Sequence, residues 1–520
     1  MLKKIFFLLL LFCISLTVFA QSPQIKWSEK NEVFNGEKYK PLGFAGDYHY
    51  LVCYPSDRRS VLMKYDRHNK LIEEREFKEK RNGISLQLID LIKTTHENYL
   101  FFRGWDMKMK EWHLYAASLK DYKQGELVEF FSYKSRYKPI YSDVANNDVY
   151  RMNRKDVYSS DILVHTPNGL TVDFFANEHN PEDRYGLTVS DSKQYVALVE
   201  AVHNKYRKEK ELICSVFDPQ LKMIWNKKVR LGTTSDKMHI KQTVVGEDGS
   251  VYLLAKNRKE LHAPHPDLYI VYRISKNGDL ERYEVNLDGG AITVGAVLQV
   301  PQIGETEFVV TGLYTNHKRI RYRDGSFFVS GNTATGINNI KKNPFDKNTI
   351  EALMPKFWQK KGHGLHKRYK LKSGFRFSEN SLGFIAELSG SMGTENLIIP
   401  VYDLKGNLIK HQGIRKENQV FLGYGESSYL AQKVDDHLYL FFNDDKTPEE
   451  KNKMVGKHRA PYTDMLVMDA QGNIESRDYI FNRKQTPLSF SSIFIDYDQG
   501  YFLFMGLSEP QFIFGLMPIQ

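Results

Sequence analysis

A short pattern recurs about eight times along this chain. It is a turn, then an aromatic-rich apolar strand, then a second strand ending in a polar tight turn, then a third strand. The apolar strand and its turn are clearest at Asp191-Ser192-Lys193-Gln194-Tyr195-Val196-Ala197-Leu198-Val199 and Asp248-Gly249-Ser250-Val251-Tyr252-Leu253-Leu254. They return at Asp435-Asp436-His437-Leu438-Tyr439-Leu440-Phe441-Phe442 and Asp498-Gln499-Gly500-Tyr501-Phe502-Leu503-Phe504. A nearly continuous apolar run means a strand covered on both faces, as between stacked sheets.

The companion element is a hairpin. Ser275-Lys276-Asn277-Gly278, Asp403-Leu404-Lys405-Gly406-Asn407 and Asp469-Ala470-Gln471-Gly472-Asn473 share a polar residue at a strand end and a Gly where positive φ is needed. Asp66-Arg67-His68-Asn69 and Asp218-Pro219-Gln220-Leu221 are looser copies. Together these elements predict four-stranded antiparallel sheets near 38–78, 88–133, 187–230, 240–287, 293–340, 374–415, 428–482 and 489–520. The expected fold is an all-β propeller of about eight blades, within a range of seven to nine. The segment 138–178 reads as a degraded blade or an insertion.

The last unit stops one strand short, and Ile25 to Phe34 offers a spare strand near the start. A ring closes without an open sheet edge if that strand completes the last blade. One region interrupts the repeat, at 341–373. Asp346 to Met354 reads as a short helix with Asn348 and Glu351 as a capping box, stopped by Pro355.

The first twenty residues read as an export signal. Lys3 and Lys4 precede an apolar core, and Val18-Phe19-Ala20 suits cleavage before Gln21. The core is short for a bilayer span, and Phe12 stands before Cys13 where a lipoprotein signal needs a small residue. A periplasmic or secreted protein is expected, one propeller domain over 21–520 with no transmembrane segment. Without Lys3 and Lys4 the excess of Lys and Arg over Asp and Glu falls from +10 to +8, a mild excess that matters only where it is concentrated. Cys53 and Cys214 sit in apolar strand runs and read as buried free thiols.

Three blocks carry a family resemblance: Asp324-Gly325-Ser326-Phe327-Phe328-Val329, Lys342-Asn343-Pro344-Phe345-Asp346 and Leu438-Tyr439-Leu440-Phe441-Phe442-Asn443-Asp444. In them the chain resembles a group of secreted β-propeller-like proteins of Bacteroidota. The resemblance covers about the C-terminal third and implies a propeller located outside the cytoplasm. It brings no catalytic motif and no site residue.

Motifs that carry a mechanism are missing from the sequence: no Gly-x-Ser-x-Gly, no His-Glu-x-x-His, no Cys-x-x-Cys and no phosphate-cradling loop before a helix. Gly423-Tyr424-Gly425-Glu426-Ser427 reads as a turn. His262-Ala263-Pro264-His265-Pro266-Asp267 reads as a solvated loop for want of a fourth ligand, and Asp496-Tyr497-Asp498 as a turn for want of further oxygen donors. Neither a cofactor nor a metal is expected.

The strongest local feature is basic. Lys356, Lys360, Lys361, Lys367, Arg368, Lys370, Lys372 and Arg376 fall in a stretch with no acidic residue from Ala352 to Ser378, with Phe357, Trp358 and Tyr369 among them. A second basic run, His317-Lys318-Arg319-Ile320-Arg321-Tyr322-Arg323, lies upstream. Cations beside aromatics suit a sulfated or carboxylated glycan, and a plain solvated loop also accounts for them. The candidate ligand-binding residues are Lys360, Lys361, His363, His366, Lys367 and Arg368. The expected function is binding of a protein or an anionic glycan, without nucleic acid, which the export signal disfavours. Two alternatives stay open: an extracytoplasmic enzyme on polysaccharide or peptide with residues around the channel, and a cell-envelope scaffold.

Overall fold

The structure is a computed structural model, and the statements below concern the residues it describes. Outside the description lie 1–25, 135–149, 152–184, 258–267, 355–363, 417–428, 445–461 and shorter stretches.

Among the described residues, seven four-stranded antiparallel sheets are each built from consecutive strands in a propeller arrangement. We number these blades 1 to 7. Their inner strands are Lys38–Ala45, Ile84–Lys93, Tyr185–Val189, Met238–Val245, Ile292–Gln299, Tyr369–Arg376 and Tyr429–Val434. The corresponding outer strands are Leu71–Phe77, Val128–Lys134, Met223–Thr234, Leu280–Val285, Gly336–Pro344, Leu408–Ile414 and Ile474–Asn482. A further sheet, blade 8, is composite. Leu488–Asp496, Tyr501–Ser508 and Gln511–Pro518 form its inner three strands, and Lys26–Trp27 with Asn31–Glu32 pair on Gln511–Pro518. The start of the chain therefore completes the last blade, and Lys38–Ala45 lies beside Leu488–Asp496 to close the ring. The repeat boundaries read from the sequence fall within a few residues of these sheets.

The second strand of each blade explains the apolar runs. In blade 4, Val251, Leu253 and Ala255 pack against blade 3. Tyr252 and Leu254, the alternate residues, pack against Phe308, Val310 and Phe327 of blade 5. In blade 7, Leu438, Leu440 and Phe442 face blade 6, and Tyr439 and Phe441 face Phe502 and Phe504 of blade 8. Both faces of the pleat are core, so both sets of alternating residues are apolar or aromatic from Val251 to Ala255 and from Leu438 to Phe442. Cys53 is buried within such a strand and Cys214 within the third strand of blade 3, and neither is joined in a disulfide.

The recurring hairpin is held by its polar first residue. Asp66 Oδ1 accepts from the backbone N–H of His68 and Lys70 at 2.8 and 2.9 Å. Asp218 does so from Gln220 and Lys222 at 2.9 and 2.8 Å, and Asp469 from Gln471 and Asn473 at 3.0 and 2.6 Å. In the tighter copies the turn closes on Gly278, Gly406 and Gly472, with φ of 88°, 76° and 81°, where a side chain would strain the backbone.

The interruption between blades 5 and 6 is shorter than the sequence suggested. The outer strand of blade 5 runs to Pro344 and the inner strand of blade 6 starts at Tyr369, so it spans 345–368. Its helix, α1, covers Lys347–Leu353. The cap is Asp346, not Asn348: its carboxylate accepts from the Thr349 N–H at 2.7 Å. The helix ends at Leu353, one residue before Met354 and two before Pro355. The segment 138–178, expected as a degraded blade or an insertion, lies outside the described residues apart from Tyr150–Arg151.

Candidate functional site

An antiparallel meander sends its connections alternately to opposite ends. The inner-to-second and third-to-outer turns share one end, and the second-to-third and blade-to-blade connections share the other. The five longest connections all belong to the second end: 135–184, 345–368, 445–461, 415–428 and 258–267. We call the two ends the tight-turn face and the long-loop face.

The tight-turn face is a stitched rim. Gln302 Nε2 donates to Asp248 Oδ1 at 3.0 Å, and Ser192 N–H donates to Glu247 at 2.9 Å, each joining one blade to the next. Thr94 donates to the Pro219 carbonyl at 2.8 Å, and Lys410 to Asn473 at 2.8 Å. Arg273 gathers Asp248 at 2.9 Å, Glu281 at 3.3 Å and the Tyr252 hydroxyl at 3.1 Å. Burial opposes the charge of Asp248, but bonds from Ser250, Gln302 and Arg273 outweigh it and hold the carboxyl below its usual range. At the channel mouth on this face, burial and then Arg376 lower the Lys433 ammonium, against the pull of Asp436, Asp191 and Asp435. Asp248 and Glu247 are committed to holding turns, and among the described residues no three His, Cys, Asp or Glu side chains are placed to grip a metal.

The long-loop face at blades 5 and 6 joins the two basic segments singled out in the sequence. Tyr322–Arg323 and Leu365–His366 form a two-residue antiparallel ladder, His366 opposite Tyr322 and Leu365 opposite Arg323. Leu365 is fully buried. At Gly364 a Cβ would lie 2.1 Å from the Arg323 carbonyl oxygen, so only glycine allows this approach. Arg323 is itself buried. Burial pushes its guanidinium down to about 10, partly offset by Tyr269 and Asp324, and it remains charged at neutral pH.

The helix side of the ladder is anchored in blade 6. Leu353 and Met354 join the core shared by blades 5 and 6, and Asn396 Nδ2 donates to the Leu353 carbonyl at 2.7 Å. Asn396 Oδ1 accepts from the Lys416 N–H at 3.2 Å, and the Lys416 ammonium meets Glu387 at 2.6 Å with both side chains fully buried. Ser326 and His411 Nε2 lie 2.7 Å apart, with Asp346 near enough to act on the imidazole, which burial pushes down to about 4. The residue types are those of a hydrolase triad. The geometry excludes that use: Ser326 is fully buried, Phe345 sits edge-on to His411 at 4.8 Å, and the Asp346 carboxylate caps α1. This constellation docks the helix.

Of the six candidate ligand residues, the structure places His366 at the rim of this face. Lys360, Lys361, His363, Lys367 and Arg368 lie outside the described residues, as do His262 to Asp267 and Gly423 to Ser427. Arg376, counted with them in the sequence, is at the far end of the inner strand. Its guanidinium donates to the carbonyls of Ser378 and Glu379 at 3.0 and 3.3 Å, on the tight-turn face. The Arg323–Leu365 pairing was not visible in the sequence, because a two-residue strand has no periodicity to detect.

No protein-family model matches the chain, and no curated protein matches it. Among solved structures, polysaccharide lyase Uly1 aligns with 94% of this chain and 100% of its own at 9% identity and a TM-score of 0.39. Prolyl oligopeptidase B from Galerina marginata aligns with 92% of this chain and 56% of its own at 10% identity and a TM-score of 0.37. Drosophila Plexin A in complex with Semaphorin 1b aligns with 96% and 88% at 9% identity and a TM-score of 0.33. Likenesses this distant bear on no function of the chain. No helix among the described residues is long and apolar enough to cross a membrane.

Proposed function

We propose that this protein is an exported, non-enzymatic propeller that binds a protein or an anionic glycan on its long-loop face at blades 5 and 6. One observation carries the reading: the 317–323 and 356–368 basic segments are tied together by the Tyr322–Arg323 and Leu365–His366 ladder. Two basic segments that are remote in sequence are thus joined at one point of this face, on a base fixed by α1 and the Glu387–Lys416 pair. Charge gathered on a rigid base recognises an anionic surface at low cost in ordering. The export signal read from the sequence supports an encounter in the periplasm or outside the cell.

The test is retention on heparin resin. Lys360→Glu, Lys361→Glu, Lys367→Glu and Arg368→Glu together should abolish retention and leave the melting temperature unchanged. Undiminished retention would remove this reading.

A further inference from the structure

The ladder between blades 5 and 6 sorts its four side chains by face. Residues directly opposite each other in an antiparallel pair project to the same side. Tyr322 and His366 are one such pair, and Arg323 and Leu365 are the other. The second pair is buried, with Leu365 in the core shared by the two blades. The first pair is half-buried and therefore forms the outward side. Cβ atoms so paired stand about 4.5–5.5 Å apart, close to the width of a pyranose ring.

The pair sits on a fixed base. Asp324 N–H donates to the Tyr314 carbonyl at 2.9 Å, and Phe345 N–H to the Asp324 carbonyl at 3.0 Å. The Asp324 carboxylate accepts from the Asn316 N–H at 2.6 Å and from the Thr315 hydroxyl at 3.1 Å. Asn316 and Tyr322, the residues on either side of the 317–321 run, are therefore both held. A flat phenol ring beside an imidazole offers an apolar face with polar edges. A sugar ring of an acidic polysaccharide has the complementary form, with C–H groups on its faces and hydroxyl and acidic groups at its edges. A protein partner would instead bury large apolar anchors. Among the described residues, the only large apolar side chain exposed in blades 5 and 6 is Ile409, near the start of the outer strand of blade 6 at the tight-turn end.

We propose that Tyr322 and His366 form a stacking platform for a sugar ring of an acidic polysaccharide bearing carboxylate or sulfate groups. The proposal rests on the reading above, in which the basic segments draw an anionic partner to this face, and it narrows that partner to a glycan. Charge brings the polymer to the surface, and the platform distinguishes it from other polyanions. Stacking on a base that is already ordered adds little entropic cost.

Titration with a size-defined heparin oligosaccharide, and with polyglutamate of equal charge and no sugar rings, tests this. The wild type should bind the heparin more tightly. Tyr322→Ala should weaken heparin binding about three- to tenfold and leave polyglutamate binding and the melting temperature unchanged. Tyr322→Phe, which keeps the ring, should bind heparin as the wild type does. His366→Ala should lose less, in the same direction. If Tyr322→Ala does not fold, Tyr322→Val, which suits a strand, is measured instead. Unchanged heparin affinity without the Tyr322 ring, or an equal loss for both polymers, overturns the platform. The charge reading then still stands if reversal of Lys360, Lys361, Lys367 and Arg368 abolishes binding of both. Wild-type heparin affinity in that reversal removes the charge reading and the proposal that rests on it. Polyglutamate bound by the wild type as tightly as heparin overturns the glycan class.

Discussion

The two faces of this propeller use the same amino acids for opposite ends. On the tight-turn face, carboxylates are consumed by the backbone: Asp66, Asp218, Asp403 and Asp469 each accept from N–H groups of their own turn. Lysines there reach the next blade, as Lys410 reaches Asn473. On the long-loop face the connections are long, and the charge of the 356–368 segment is unbalanced by any acid. What differs is chain length between strands. A four- or five-residue turn leaves its polar side chains only their own backbone to bond, whereas a long connection can carry side chains for a partner. The rim thus serves stability, and the loops are where we propose recognition. Each prediction here attacks one side of that division.

The largest effect is expected under the loops, where the proposed recognition surface is anchored. Glu387 and Lys416 form an ion pair with neither side chain exposed. Removing one partner strands a buried charge, so Glu387→Ala should cost about 3–5 kcal/mol in denaturant unfolding. Glu387→Leu with Lys416→Met should recover most of that, because the apolar pair leaves no charge to desolvate. A loss under about 1 kcal/mol in the single variant would mean that the pair reaches water and the insertion has no firm base.

The rim should respond more mildly, and separately in each blade. Asp469→Ala removes the acceptor of two backbone N–H groups and of the Asn473 side chain, at about 1–2 kcal/mol. Asp403→Ala should cost a similar amount, and the double variant the sum. A marked excess would show that neighbouring turns act as one unit. The pH dependence has a definite sign. Burial opposes the Asp469 charge, but the bonds from Asn473 and Gln471 prevail and hold its carboxyl below the usual range. A depressed native value adds stability that is fully present above about pH 4 and lost on further acidification. Asp469→Asn should flatten that acid limb of the melting-temperature profile.

How far the sequence reaches follows the same division. The eight-fold pattern was legible because a second strand buried on both faces is largely apolar, as Leu438 to Phe442 are, and because the hairpin puts an Asp or Ser, and in its tighter copies a Gly, at fixed places. The ring closure was legible because a missing outer strand leaves an edge that something must fill. The site was not legible in this way. The basic composition of 356–376 was plain, but the sequence grouped Arg376 with it, and a strand of eight residues carries Arg376 to the opposite face. The N-cap was misassigned by two residues, since Asp346 and Asn348 are both good caps and only the geometry chooses. Two-residue strands such as Tyr150–Arg151 and Leu365–His366 bring remote residues together with no periodicity to announce them.

The smallest effect tests whether the rim is a strict repeat. In blade 4 the first turn closes on Gly249, with φ of 73° and an N–H donated to the Gly246 carbonyl at 3.0 Å. Blade 3 repeats the geometry with a lysine: Lys193 has φ of 61° and donates to the Ser190 carbonyl at 2.9 Å. An L side chain in this left-handed region costs about 1–2 kcal/mol, part of which glycine returns through a freer unfolded chain. The Lys193 side chain is exposed, and the bond that ties this turn to blade 2 runs from Thr95 N–H to the Lys193 carbonyl at 3.2 Å, so glycine keeps it. Lys193→Gly should therefore stabilise the protein by about 0.5–1 kcal/mol. Gly249→Ala should move the other way by about 1–2 kcal/mol, because its Cβ would also meet the Tyr195 ring at 3.2 Å. Opposite signs at two equivalent positions are what one turn geometry in both blades requires. A destabilised Lys193→Gly would show that the lysine side chain itself, and not the backbone, holds blade 3 to its neighbours.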